Sequence, residues 1–207
     1  MAPVNEGRLV AFEGLDGSGK TTQLAGLASR LRRRGHDVLE TREPTAGPHG
    51  SRIRALAADG RRAPAAEELA LFVADRREHV ARVIGPALAA GRIVLTDRYF
   101  LSSAAYQGAR GLDPRRILAE SEAEFPVPHL ALLFDLPPTL CLERVHARGG
   151  GVETAFERLD RLTRVAEVFA SLDRPYLARV DGSGSAEAVA ARVDALVEAR
   201  LDLPERA

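Results

Sequence analysis

The sequence predicts an α/β protein in which a parallel five-stranded sheet carries helices on both faces. Two observations carry this. Short apolar runs alternate along the chain with segments of helical periodicity, and the runs are continuously apolar, as strands buried on both faces are. The first run also passes through a glycine-rich turn directly into a helix, the strand–turn–helix order that aims backbone N–H groups at an anion.

Each element has its own signal. Arg8-Leu9-Val10-Ala11-Phe12-Glu13 reads as the first strand. From Thr21 to Leu31, the residues Leu24, Leu27, Ala28 and Leu31 fall on one helical face. Gly35-His36 ends that helix, and Asp37–Thr41 reads as the second strand. Pro44, Gly47, Pro48 and Gly50 then predict a loop, followed by helices over 51–58 and, without a break, over 65–90 up to Gly91. Arg92–Asp97 and His129–Asp135 are buried strands, Tyr176–Asp181 is a weaker last one, and a helix over 185–201 closes the chain. No internal repeat or low-complexity linker divides the 207 residues, so residues 1–207 are expected to form one domain.

Composition narrows the function classes. Lys+Arg and Asp+Glu are 29 each, for a formal net charge of zero. That balance argues against gripping nucleic acid or an anionic membrane, so neither is expected as a partner. The lone Cys141 permits no intramolecular disulfide and fits a reducing compartment. The N-terminus lacks an apolar signal core and no stretch approaches spanning length, so a cytoplasmic location is expected.

Of the 29 basic residues only one, Lys20, is a lysine. It completes Gly14-Leu15-Asp16-Gly17-Ser18-Gly19-Lys20-Thr21, a fit to G-x-x-x-x-G-K-[ST]. A compact ammonium with three donors enters a loop wrapped around β- and γ-phosphates, where a planar guanidinium fork does not. The motif predicts nucleoside triphosphate binding by Gly14 through Thr22, with Lys20 on phosphate oxygens and the Thr21 hydroxyl at Mg²⁺ or capping the helix. A guanine-reading Asn-Lys-x-Asp is impossible with a single lysine, which excludes the GTPases.

Several segments together resemble the thymidylate kinase family, over roughly residues 8–195. They are the loop from Glu13 to Gln23, Thr41-Arg42-Glu43-Pro44, Phe72-x-Ala74-x-Arg76, Asp97-Arg98-Tyr99, and Ser102 with Ala105-Tyr106-Gln107-Gly108. The resemblance implies a P-loop three-layer fold with a small mobile lid at about 146–157, ATP and dTMP as substrates, Mg²⁺ as cofactor, and a homodimer. It also implies roles. Lys20, Arg98, Asp16 and a lid arginine, Arg148, carry catalysis, and Thr21 and Asp97 hold the metal. The acceptor nucleotide is expected among Asp16, Arg54, Phe72, Arg76, Arg98, Ser102, Tyr106 and Gln107, with Phe72 and Arg76 forming a pyrimidine pocket that the last three also line. Asp97 is expected either to hold the metal's water shell or to buttress Arg98. Arg98 follows a strand at the carboxyl edge of the sheet, where a bidentate guanidinium suits a phosphate. Gly17 stands where some members carry an arginine, so the lid must supply that charge, from Arg148 or Arg144.

Two departures stand out. The family's Asp-Arg-Ile-Glu after the lid begins is replaced by Gly149-Gly150-Gly151-Val152-Glu153, and its Gly-Gly-Thr after Arg-Glu-Pro by Thr45-Ala46-Gly47. Kinase action on another monophosphate, or nucleotide binding without transfer, are the alternatives these departures leave open.

Overall fold

The computed structural model describes residues 7–58, 63–147, 155–201 and 203. Five parallel strands form one sheet: β1 (Arg8–Gly14), β2 (Val38–Arg42), β3 (Ile93–Asp97), β4 (Leu130–Asp135) and β5 (Leu177–Asp181), in the order β2-β3-β1-β4-β5. Side-chain alternation explains why the three central strands are almost wholly apolar, while the edge strands β2 and β5 also carry exposed polar residues. Val10 and Phe12 of β1, Leu95 of β3, and Leu132 and Phe134 of β4 pack in one buried cluster. Leu9 and Ala11, Val94, and Ala131 and Leu133 point the other way into a second. Both faces are therefore core, and each needs a helical layer.

The first face is covered by α1 (Lys20–Arg33) and α9 (Ala186–Arg200), which contribute Leu24, Leu27 and Leu31, and Val189, Val193 and Val197. The other face takes α3 (Ala65–His79), α4 (Gly85–Ala89), α5 (Phe100–Gly108), α6 (Pro114–Glu124), α7 (Pro138–His146) and α8 (Ala155–Ser171), with α2 (Pro48–Ala58) packed on α3. Of these, α4 to α8 all place residues in the second cluster, with Phe100, Leu118 and Val165 among them.

Two expectations are corrected. Pro48 and Gly50 belong to the first turn of α2, where a proline costs nothing because its missing N–H would have had no helical partner. The helix expected over 65–90 is interrupted by a π-helical turn at Val80–Ile84. Gly85 N–H reaches back five residues to Val80 O, and Pro86 beside it has no N–H to continue the α-ladder.

The connections from β1 and β3 leave in opposite directions, β1 into α1 on one face and β3 into α5 on the other. A crevice opens where neighbouring strands diverge in this way, at their carboxyl ends, and ligands bind there in open α/β sheets. Phe12 of β1 and Arg42 of β2 both pair with Asp97, so three strand ends meet at this edge.

Candidate nucleotide-binding site

A cavity of about 260 Å³ occupies that crevice, lined by Asp16, Gly17, Gly19, Lys20, Thr21, Thr22, Arg42, Glu43, Asp97, Arg98 and Val145. The glycine-rich loop runs from β1 to the first residue of α1, and buried Leu15 anchors it to the core. Gly19, at φ 97°, is the residue before α1, and no side chain caps that end. The first-turn N–H groups thus face the cavity, as an anion site requires. Thr21 does not cap. Its hydroxyl donates to Asp97 Oδ2 at 2.6 Å.

Lys20 is buried and curled onto its own loop, with Nζ donating to Gly14 O at 3.1 Å and Leu15 O at 2.7 Å. Burial pushes its ammonium down to about 8, and the Arg98 charge adds to the fall against Asp16, Asp97 and Glu13. Gly17 shows why this loop carries no arginine at that position. A Cβ there would lie 2.2 Å from the backbone oxygen of Cys141, because α7 packs directly on the loop. From the same helix Arg144 Nη1 reaches Gly17 O at 3.5 Å. Arg148 and residues 149–154 of the expected lid lie outside the described residues.

Arg98 is held in the left-handed region at φ 73°. Its guanidinium donates to Asp16 Oδ1 at 2.6 Å, Ser102 Oγ at 2.9 Å, Tyr106 Oη at 3.2 Å and Gly14 O at 3.2 Å. Of the two roles expected for Asp97, that of buttress to Arg98 is filled by Asp16, and Asp97 is engaged by Thr21. Beneath Arg98 lies a carboxylate that sequence reasoning passed over. Glu13 is fully buried, and accepts from Tyr99 N at 2.9 Å and from the Ser102 hydroxyl. Burial pushes its carboxyl up to about 7, against the Ser102 hydrogen bond and the Arg98 charge.

The single base pocket expected for Ser102, Tyr106 and Gln107 divides between two faces of α5. Ser102 and Tyr106, four apart, serve Arg98. Ser103 and Gln107, also four apart, lie on the side that meets Arg76, whose Nη2 donates to Ser103 Oγ at 3.1 Å. Arg76 is buried, paired with Glu43 at 2.8 Å, and lies over the Tyr99 and Phe125 rings at 5.2 and 5.5 Å. Its Nη1 and the Oε1 of buried Gln107 have no hydrogen-bond partner among the described residues. Buried polar atoms are nearly always partnered, which makes this donor and this acceptor candidates for contact with a ligand. Phe72 is half-buried one turn before Arg76 on α3.

Arg54, expected at the acceptor phosphate, instead donates to Pro44 O at 3.2 Å and Thr45 O at 2.6 Å, clamping the loop after β2. Thr45 is gripped in turn by Asp75 through its N–H and its hydroxyl, at 2.8 and 2.6 Å. The unusual Thr45-Ala46-Gly47 segment is thereby a built feature, not a gap in the site. Arg42, Glu13 and Ser103 were missed as site residues. Arg42 ends a strand at the same edge as Asp97, a signal that was available. Glu13 and Ser103 gave none, because a carboxylate one residue before the loop and a helical serine reveal no partner in sequence.

Among the described residues no group of three or more His, Cys, Asp or Glu side chains is placed to hold a metal, and no helix is long and apolar enough to cross a membrane. A family model described as thymidylate kinase matches residues 12–193. A Desulfotalea psychrophila protein named thymidylate kinase is 45% identical over 185 residues, 89% of this chain and 91% of its own. One of the same name from Akkermansia muciniphila is 46% identical over 188 residues, covering 91% and 90%. A third, from Xanthomonas campestris pv. campestris, is 46% identical over 195 residues, covering 94% and 85%.

Proposed function

The chain belongs to the thymidylate kinase family, and on that premise we propose that it transfers the γ-phosphoryl group of ATP to dTMP, giving dTDP and ADP. An oxygen of the acceptor phosphate attacks the γ-phosphorus in line, and the bond to the β,γ-bridging oxygen breaks with its electron pair leaving on ADP. Such transfer needs alignment and charge neutralisation more than covalent help from the protein. Lys20 exchanges the Gly14 and Leu15 carbonyls for β- and γ-oxygens, while the loop N–H groups cradle the phosphates. Arg144, already over Gly17, and the lid arginine Arg148 add positive charge as the lid at 146–157 closes within one kinase domain. Asp16 occupies Arg98 until the acceptor phosphate takes over its guanidinium.

Thr21 and Asp97 present a hydroxyl and a carboxylate 2.6 Å apart at the cavity, hard oxygen donors that fit Mg²⁺, an ion that takes few protein ligands and keeps its waters and substrate phosphates. When bound, Mg²⁺ would neutralise charge on the triphosphate oxygens. A cytoplasmic homodimer is part of the same reading, supported by the family.

The observation that carries the base assignment is the pair of buried orphans. Arg76 Nη1 is a donor and Gln107 Oε1 an acceptor, which complements O4 and N3–H of thymine. Cytosine presents an amine and a bare N3 at those positions, so both contacts would be donor on donor or acceptor on acceptor. Phe72, one turn before Arg76 on α3, is the ring assigned to stack on the base. Turnover of dTMP should exceed that of dCMP by at least tenfold in kcat/KM, about 1.4 kcal/mol of transition-state binding. Equal values would remove the thymine assignment and leave phosphoryl transfer standing.

A further inference from the structure

The Gln107 amide has two ends, and a single neighbour determines which one faces inward. Gln107 Nε2 donates to Glu68 Oε2 at 3.1 Å, while Oε1 is the buried atom without a partner among the described residues. A carboxylate only accepts, so Glu68 can hold the NH₂ end of the amide and never the oxygen. Rotation of the amide by half a turn would place two donors at the site now occupied by an acceptor, with almost no change in shape. The Glu68 carboxylate is itself fixed by Arg110, whose Nη1 pairs with the same Oε2 and whose Nη2 donates to Ala63 O. The chain Ala63–Arg110–Glu68–Gln107 therefore ties the start of α3 to the end of α5 and terminates in one oriented oxygen.

We propose that Glu68 is a positioning residue for base choice: by fixing the polarity of the Gln107 amide, it makes the acceptor site take an imide N–H, as in thymine or uracil, and refuse the bare N3 of cytosine. This rests on the reading of Arg76 and Gln107 as the base contacts. Glu68 does not touch the base, and both it and Arg110 keep part of their side chains in solvent, so melting temperatures can separate a folding effect from an effect on base choice. Their effect is on which hydrogen bonds the site can make, and a site built for one polarity discriminates strongly against the opposite one because its buried groups are left unpaired.

The experiment is kcat/KM for dTMP and dCMP in the wild type, Glu68→Gln, Arg110→Ala and, as a control, Glu67→Gln, with melting temperatures for all four. Gln at 68 offers an oxygen and an NH₂ group in nearly the carboxylate's shape, so it no longer dictates how the Gln107 amide lies. Glu68→Gln should cut the dTMP/dCMP ratio at least tenfold, through a higher KM for dTMP with kcat within about twofold. Arg110→Ala should move the ratio the same way by a smaller factor. Glu67→Gln, the same charge change on an exposed neighbour, should leave it alone. A ratio unchanged in both Glu68→Gln and Arg110→Ala, or an equal loss on both substrates accompanied by a lower melting temperature, overturns the role of Glu68 while the thymine contacts stand. A wild type with no preference for dTMP overturns both.

Discussion

Lys20 is the residue at which sequence and structure bear most directly on one another. Alone among arginines, it is buried on two loop carbonyls with its ammonium pushed down to about 8. Between about pH 8 and the ordinary value near 10.5, the ligand-free protein holds a neutral amine where an exposed lysine would be charged. Triphosphate oxygens favour the charged form and reverse the shift. Binding of ATP near pH 8.5 should therefore take up most of one proton, read by calorimetry in buffers of different ionisation enthalpy. The Lys20→Arg variant should take up none, since guanidinium does not titrate there. Proton-neutral binding by the wild type would mean that Lys20 does not meet the phosphates.

At the scale of the element, the loop between β1 and α1 is shaped by a helix more than a hundred residues away. Gly17 has φ 88° and α7 against it, whereas Gly111 has φ 95° and open space around its Cβ direction. Gly111→Ala should incur only the left-handed backbone cost, about 1 kcal/mol, and lower Tm by roughly 2–4 °C at this chain length. Gly17→Ala drives a methyl into the Cys141 carbonyl, so either α7 or the loop must move. It should lower Tm at least twice as far and reduce kcat/KM for ATP tenfold or more. Matching Tm shifts in the two variants would show that the close approach of α7 costs nothing. The same contact explains the absent loop arginine, which no inspection of the loop alone would reveal.

For the molecule as a whole, Glu13 links catalytic architecture to global stability. It lies inside the core, beneath the Arg98–Tyr99 turn, and its carboxyl is raised from 4.5 to about 7 by burial. Because the folded state holds this proton to higher pH than the unfolded chain, the resulting stability is fully present below about 4.5 and is lost as pH rises through about 7. A shift of that size corresponds to a loss on the order of 3 kcal/mol. The Glu13→Gln variant cannot lose it. Denaturant unfolding from pH 5 to 8 should show the variant gaining on the wild type as pH rises. A constant difference across that range would place the titration elsewhere.

Much of this was legible in the sequence, for identifiable reasons. The three central strands are buried on both faces and so are almost wholly apolar, and the edge strands β2 and β5 keep enough apolar residues that all five were visible with bounds within a residue or two. The glycine-rich loop with its lysine is local in sequence and could be read without a fold. Long-range pairing was not legible. Asp16 rather than Asp97 holds Arg98, α5 divides Ser102 and Tyr106 from Ser103 and Gln107, and Arg54 turns to the Pro44–Thr45 carbonyls. Each outcome is a choice of hydrogen-bond partner among groups far apart in the chain, and only packing brings one candidate within reach and leaves another out. Residue periodicity and local motif were enough to specify the sheet and the phosphate loop. The polarity of a buried amide, the raised carboxyl beneath the site and the glycine required at position 17 were decided by tertiary structure, because each depends on what a distant element presses against it.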